Sequence, residues 1–215
     1  MVRLSKSFGL IAPYAAWMVL MTLLPATVGG YAVRTAVVAA LLAMTWLGRK
    51  TQDVRREPCL SSSVSRPLAS SVSRLASSLL PGLLVGFAVF VMWILPEQFD
   101  WAWYRRFCII GEGGTQAVAE ASTAMIAIRL IGSAFVISVA EELFFRKWLI
   151  PFAGFWWMVG LFAIEHDRWL VGTFCGMIYG WLYLRKGLFA AIVAHATTNL
   201  VLGLWVLKTG QWQFW

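Results

Sequence analysis

The stretch LLPGLLVGFAVFVMWILP, residues 79–96, runs for eighteen residues without one charged side chain. A run of that length is close to what an α-helix needs to cross the ~30 Å hydrocarbon layer of a bilayer. Apolar stretches of similar length recur along the chain, which is 60% hydrophobic and 13% charged over 215 residues and carries 13 Trp. Most of these runs lack the periodic polar residues that give a soluble helix its wet face. The composition therefore predicts an all-α, polytopic integral membrane bundle of about seven (six to eight) transmembrane helices and one structural domain.

The spans read as 8–29, 32–48, 79–96, 124–146, 148–164, 169–184 and 188–207. That threading puts 12 Lys and Arg side chains on one side (Arg3, Lys6, Arg49, Lys50, Arg55, Arg56, Arg66, Arg74, Arg146, Lys147, Arg185, Lys186). Four fall on the other (Arg105, Arg106, Arg168, Lys208), and Arg34 and Arg129 lie inside spans with no role assigned. Cytoplasmic loops carry the excess of basic residues, so the N-terminus is expected in the cytoplasm and the C-terminus outside. The net charge of +8 is thereby accounted for by loops, without nucleic acid as a partner. Arg3 and Lys6 ahead of the first apolar run read as a retained signal anchor. Cys59, Cys108 and Cys175 form neither a disulfide framework nor a metal clip.

Three regions are expected along the chain: N-terminal membrane helices at 1–123, with a polar, basic loop at 49–78, a membrane core at 124–207, and a tail at 208–215. Residues 61–78 contain nine serines. Val64, Leu68, Val72, Leu75 and Leu79 nevertheless recur at helical spacing there, so both disorder and a helix lying on anionic lipid fit that segment. The segment 97–107, EQFDWAWYRRF, suits an aromatic belt at the far interface. Gly172, Gly176 and Gly180 form a doubled GxxxG, which allows close helix approach; the expected neighbour is the last span, at Ala190, Ala191 and Ala194.

Against this background VAEELFFRKW, residues 139–148, is costly: Glu141, Glu142 and Arg146 stand at the end of an apolar span, where ionisable groups mark function by default. Glu142 and Arg146 are four apart, share a helix face and can pair, while Glu141 points about 100° away. The chain has two histidines. His166 ends FAIEH, and His195 begins HATTN, which places His195 and Asn199 on one face. A lone buried histidine is more often packing than catalyst; two, with a carboxylate pair and an amide in the same half, are harder to explain as packing.

EELFFR, FAIEH and HATTN resemble the EExxxR, FxxxH and HxxxN signatures of the CPBP family of intramembrane glutamic endopeptidases, the group of type II CAAX prenyl proteases and bacteriocin-processing proteins. The likeness covers about residues 124–207, and EHDRWLVGTFCGMIYGWLYLRKG is similar to bacterial members found beside exosortase sorting systems. It implies a protease in which Glu141 activates water, His166 helps hold it, His195 and Asn199 stabilise the oxyanion, and Glu142 and Arg146 orient the helix end. The substrate would be a membrane-anchored protein or peptide, a prenylated CAAX-like tail in eukaryotic relatives, and the location the bacterial cytoplasmic membrane.

No cofactor is expected. Zinc on Glu141, His166 and His195 stays open from spacing alone, although HExxH is absent. A transporter, or a binding or immunity protein using the same residues as proton relay or ligand site, is the alternative.

Depth exposes a conflict. If the fifth span ran straight from 148 to 164, His166 would lie more than ~20 Å from Glu141. The expected resolution is a broken or interfacial segment at 147–156, containing Pro151, Gly154 and Trp156. A helix starting near Trp156 then carries His166 ~15 Å deep, with Asp167 and Arg168 buried as a pair.

Overall fold

The structure, a computed structural model, describes residues 7–25, 27–55, 68–110 and 122–214, and these form an all-helical bundle. Its helices are α1 (Phe8–Leu23), α2 (Val28–Arg55), α3 (Leu68–Gln98), α4 (Ala102–Cys108), α5 (Thr123–Ala153), α6 (Phe155–Ile164), α7 (Trp169–Lys186) and α8 (Leu188–Thr209). Four segments are long and apolar enough to cross a membrane: Gly29–Leu47 in α2, Ala76–Gln98 in α3, and the whole of α5 and α8. Helices α1 and α6 are shorter apolar helices. Large apolar side chains on the outer surface, such as Leu84, Phe87, Trp156 and Ile164, face outward where lipid replaces water as the solvent.

Several expected boundaries move. Residues 68–78, expected as loop, are the first turns of α3, and the rest of the serine-rich segment, 56–67, lies outside the described residues. The fourth span does not end at 146. It continues as α5 to Ala153 and breaks at Gly154, whose φ of +96° is open to glycine and strained for other residues. Pro151 causes no break, because it stands in the first turn of a helical segment that restarts at Ile150, where a missing N–H leaves nothing unsatisfied. Gly187, at φ +86°, makes the equally tight turn between α7 and α8.

Helix α5 opens with a cap: the Ser122 hydroxyl accepts from the Met125 N–H at 3.3 Å. It is α-helical only in part. Gly132–Ile137 and Glu142–Leu149 are π-helical, the wider winding that tends to occur at functional sites.

Small residues set the closest helix approaches. A Cβ on Gly82 or Gly86 of α3 would collide with the backbone of Ala190 or Ala194, so α3 lies directly against α8. The doubled GxxxG of α7 does not face α8 as expected. Gly172 meets Ala163 and His166, Gly176 meets Val159 and Phe162, and Gly180 meets Phe155 and Met158, so its neighbour is α6. Both contacts follow one rule, that without a hydrophobic driving force helices in lipid associate where small residues let backbones come close.

A Val at Gly86 is therefore expected to cost about 1–3 kcal/mol by overpacking. Gly160→Ala, where nothing lies within 4 Å, is expected to be neutral. Thermal midpoints of the two variants in detergent measure the difference.

The turn after α6 lies under a cover built by distant segments. The Ile110 N–H donates to the Asp167 carbonyl at 2.7 Å and the Trp169 indole N–H to the Phe107 carbonyl at 2.9 Å. Arg168 is buried as expected, but its partner is Glu97 at the end of α3, and the Asp167 side chain is exposed. The pairing is tertiary: adjacent residues at 167 and 168 point apart, while Glu97 is brought under the turn by α3. Phe214 completes the cover, 4.7 Å from the Arg168 guanidinium. Arg34, left without a role by the sequence, donates to the carbonyls of Leu20, Leu24 and Pro25, and so satisfies the C-terminal end of α1.

Candidate functional site

The two glutamates of EELFFR part company. Glu142 is fully buried, and one of its oxygens accepts from Nδ1–H of His195 at 2.9 Å while lying 3.1 Å from the Arg146 guanidinium. Glu141 is also buried, and its Oε2 lies 3.7 Å from Nε2 of the same imidazole. Because Nδ1 donates to a carboxylate, the tautomer of His195 is set, and Nε2 is the nitrogen turned toward Glu141. The ring is fixed from the side as well, stacked on Tyr179 at 5.1 Å. The Tyr179 hydroxyl donates to Thr198 at 2.6 Å, and Thr198 in turn donates to the Gly86 carbonyl at 2.8 Å. The chain of contacts thus ends in the α3–α8 approach that the small residues permit.

Arg146 has no aligned hydrogen bond among the described residues. It is held by the charge of Glu142 and by the faces of Phe162, Tyr179 and Phe145, at 4.3, 5.6 and 5.7 Å from the ring centroids.

His166 and Asn199 lie on the same space. A cavity of about 180 Å³ is lined by His166, His195, Thr198 and Asn199 together with Trp93 and Phe162. Between the two imidazoles stands the ring of Phe162, 4.6 Å from His166 and 6.0 Å from His195. Nδ1–H of His166 donates to the Phe162 carbonyl at 2.7 Å, the i−4 bond that the FxxxH spacing allows, and Trp93 packs edge-on at 5.5 Å. The Asn199 amide donates to the Ser133 carbonyl and to the Ser138 hydroxyl, each at 3.1 Å, so its carboxamide is oriented by the first π-helical stretch of α5. A second cavity, of about 240 Å³, shares Asn199, Leu202 and Phe214 with the first and reaches Tyr31 and Arg129.

All six residues singled out in the sequence are thus neighbours around one site. Glu141, Glu142, Arg146 and His195 make direct contacts, whereas His166 and Asn199 join His195 at the cavity wall. Among the described residues no group of three or more His, Cys, Asp or Glu could hold a metal ion. Tyr179, Thr198, Ser133 and Ser138 were missed by the sequence reading; each is an unremarkable residue in its own helix and gains a role only through a partner on another.

Residues 123–201 match the family described as type II CAAX prenyl endopeptidase Rce1-like. Over this segment the chain is similar to the CAAX protease family. The match runs from the start of α5 into α8 and takes in all three motifs. Helices α1–α4 lie outside it. No curated protein and no solved structure matches the chain. The apolar helices and this likeness together support an integral membrane protein similar to the CAAX-type intramembrane endopeptidases.

Proposed function

We propose that the protein hydrolyses a peptide bond of a membrane-anchored protein or peptide with a water activated by glutamate. The observation that carries this reading is the buried approach of Glu141 to Nε2 of His195 while Nδ1 is engaged by Glu142. An oriented imidazole at the wall of a low-dielectric cavity, with a buried acid beside it, is suited to proton transfer and to stabilising developing negative charge. In the reaction, the water oxygen attacks the peptide carbonyl as Glu141 takes its proton. Glu141 relays that proton to Nε2 of His195, whose N–H then meets the oxyanion together with an Asn199 N–H released from Ser133 or Ser138, and collapse breaks the C–N bond as the relayed proton passes to the leaving amine. His166 helps to hold the water.

The site lies beneath the cytoplasmic leaflet of a bacterial membrane in this reading, reached by the tail of a substrate whose anchor stays in lipid. Chemistry of the glutamic type is preferred because the two carboxylates are already engaged with His195, while Nδ1 of His166 is held by the Phe162 carbonyl.

The test is purified protein in vesicles, offered lipid-anchored peptides with free C-termini, with and without chelator. Wild type is expected to cleave in chelator, and Asn199→Ala to reduce kcat by about 10²–10³-fold, the usual worth of one oxyanion donor. Cleavage lost in chelator and restored by zinc would replace the glutamic mechanism with a metal-dependent one. Proton flux without any cleavage, abolished by Glu141→Gln, would replace the protease with a transporter.

A further inference from the structure

Helix α3 lies outside the segment matched to the family, yet its last turns reach the site. Trp93 and Glu97 are four residues apart and share one face of α3. Both meet the turn that follows α6. The Glu97 carboxylate pairs with buried Arg168, and the Trp93 ring packs against His166 with 5.5 Å between centroids. Earlier in α3, Gly82 and Gly86 bring the helix against the backbone of α8. Trp93 is thus held between two fixed contacts of its own helix, and its ring forms part of the cavity wall beside His166, His195 and Asn199.

The indole N–H of Trp93 is buried and has no hydrogen-bond partner among the described residues. An indole nitrogen only donates, so what it lacks is an acceptor. His166 does not supply one: its Nδ1–H is committed to the Phe162 carbonyl, and the imidazole meets Trp93 ring to ring. A buried donor without an acceptor is costly and rare, and on a cavity wall a bound molecule can satisfy it. An extended peptide brings a backbone residue past the wall about every 3.3 Å, each with a carbonyl that accepts whatever its side chain. Trp93 stands at the His166 end of the cavity, and the Phe162 ring separates that end from His195. The carbonyl within its reach is therefore a neighbour of the one attacked.

We infer that Trp93 is a substrate-binding residue whose indole N–H donates to a backbone carbonyl adjacent to the scissile peptide bond. The inference rests on the endopeptidase reading and adds to it a residue from α3.

The experiment uses the full-length protein in vesicles and a lipid-anchored fluorogenic peptide. The peptide is also made as a series in which the peptide units flanking the scissile bond are replaced, one at a time, by an alkene that keeps the shape and removes the carbonyl. Trp93→Phe is expected to raise KM about tenfold, the factor that corresponds to one hydrogen bond, with kcat changed less than about twofold. One member of the series should show a similar rise with wild type. On Trp93→Phe that member should lose nothing further through the missing carbonyl, because donor and acceptor belong to one bond. A second variant carries a benzothienyl side chain at Trp93, with both rings kept and sulfur in place of the N–H, and it should reproduce the rise in KM.

Losses that multiply for every member of the series would overturn the assignment and leave Trp93 as packing against His166. A loss confined to kcat would overturn it too, by placing a water and not the substrate on the indole. Wild type that cleaves nothing sinks the endopeptidase reading and this role together. Wild type that cleaves, with either of those patterns in the variants, sinks this role alone.

Discussion

Glu141→Gln is expected to lower kcat by about 10²–10⁴-fold while the thermal midpoint stays level or rises. The first half follows from the role of general base: glutamine matches glutamate in size and cannot take a proton from water. The second half follows from the surroundings. Oε2 of Glu141 is buried and unpartnered among the described residues, and the buried carboxylate of Glu142 is next to it in the chain. A charge in that position costs stability, so its removal relieves repulsion and desolvation. Active-site groups often show this trade between stability and activity. Glu142→Gln should behave in the opposite way, losing stability as well as activity, because its oxygen serves both His195 and Arg146. Rates on a lipid-anchored peptide and midpoints in detergent, taken for both variants, separate the two roles. Equal destabilisation by the two would overturn the assignment of Glu141 as the strained member.

Sequence spacing alone could not have distinguished those adjacent glutamates. It establishes that Glu142 and Arg146 share a face, because four residues make about one turn, and the structure pairs them. It also places His195 and Asn199 together for the same reason. What spacing cannot give is the partner across a helix interface. Gly172, Gly176 and Gly180 announce a close approach, but small residues state only that some backbone can come near. The helix that does so is α6, joined to α7 by a turn of four residues, 165–168.

The break needed to bring His166 to the site was legible as a physical necessity, since a straight span would have carried it too far. Its position was not, because Pro151 and Gly154 both read as breakers. The structure separates them by backbone geometry: Pro151 fits a first helical turn, and only Gly154 adopts a positive φ. Tyr14 and Phe144 lie 130 positions apart, in segments that nothing local connects, and their stacking exists only once α1 packs on the π-helical part of α5. The pairing of Arg168 with Glu97 is hidden for the same reason.

Arg146→Met is expected to be the most destabilising single change in the site, by about 3–5 kcal/mol, the usual cost of leaving one member of a buried ion pair alone. The Arg146 and Glu142 side chains are both fully buried, so no solvent compensates the carboxylate once the guanidinium is gone. Arg146→Lys should recover only part of the loss. Lysine restores a point charge, but it cannot lie flat on Phe162, where the guanidinium now sits 4.3 Å from the ring centroid. Adding Glu142→Gln to Arg146→Met should recover more, because replacing both members removes the uncompensated charge. Cleavage should not return with stability in that double variant: His195 would face a neutral amide, and nothing would favour an imidazolium as Nε2 gains a proton. Reversible unfolding in mixed micelles, set beside peptide cleavage by the same four proteins, tests the chain of cause from Arg146 through Glu142 to His195. A double variant as active as wild type would show that His195 works without that support.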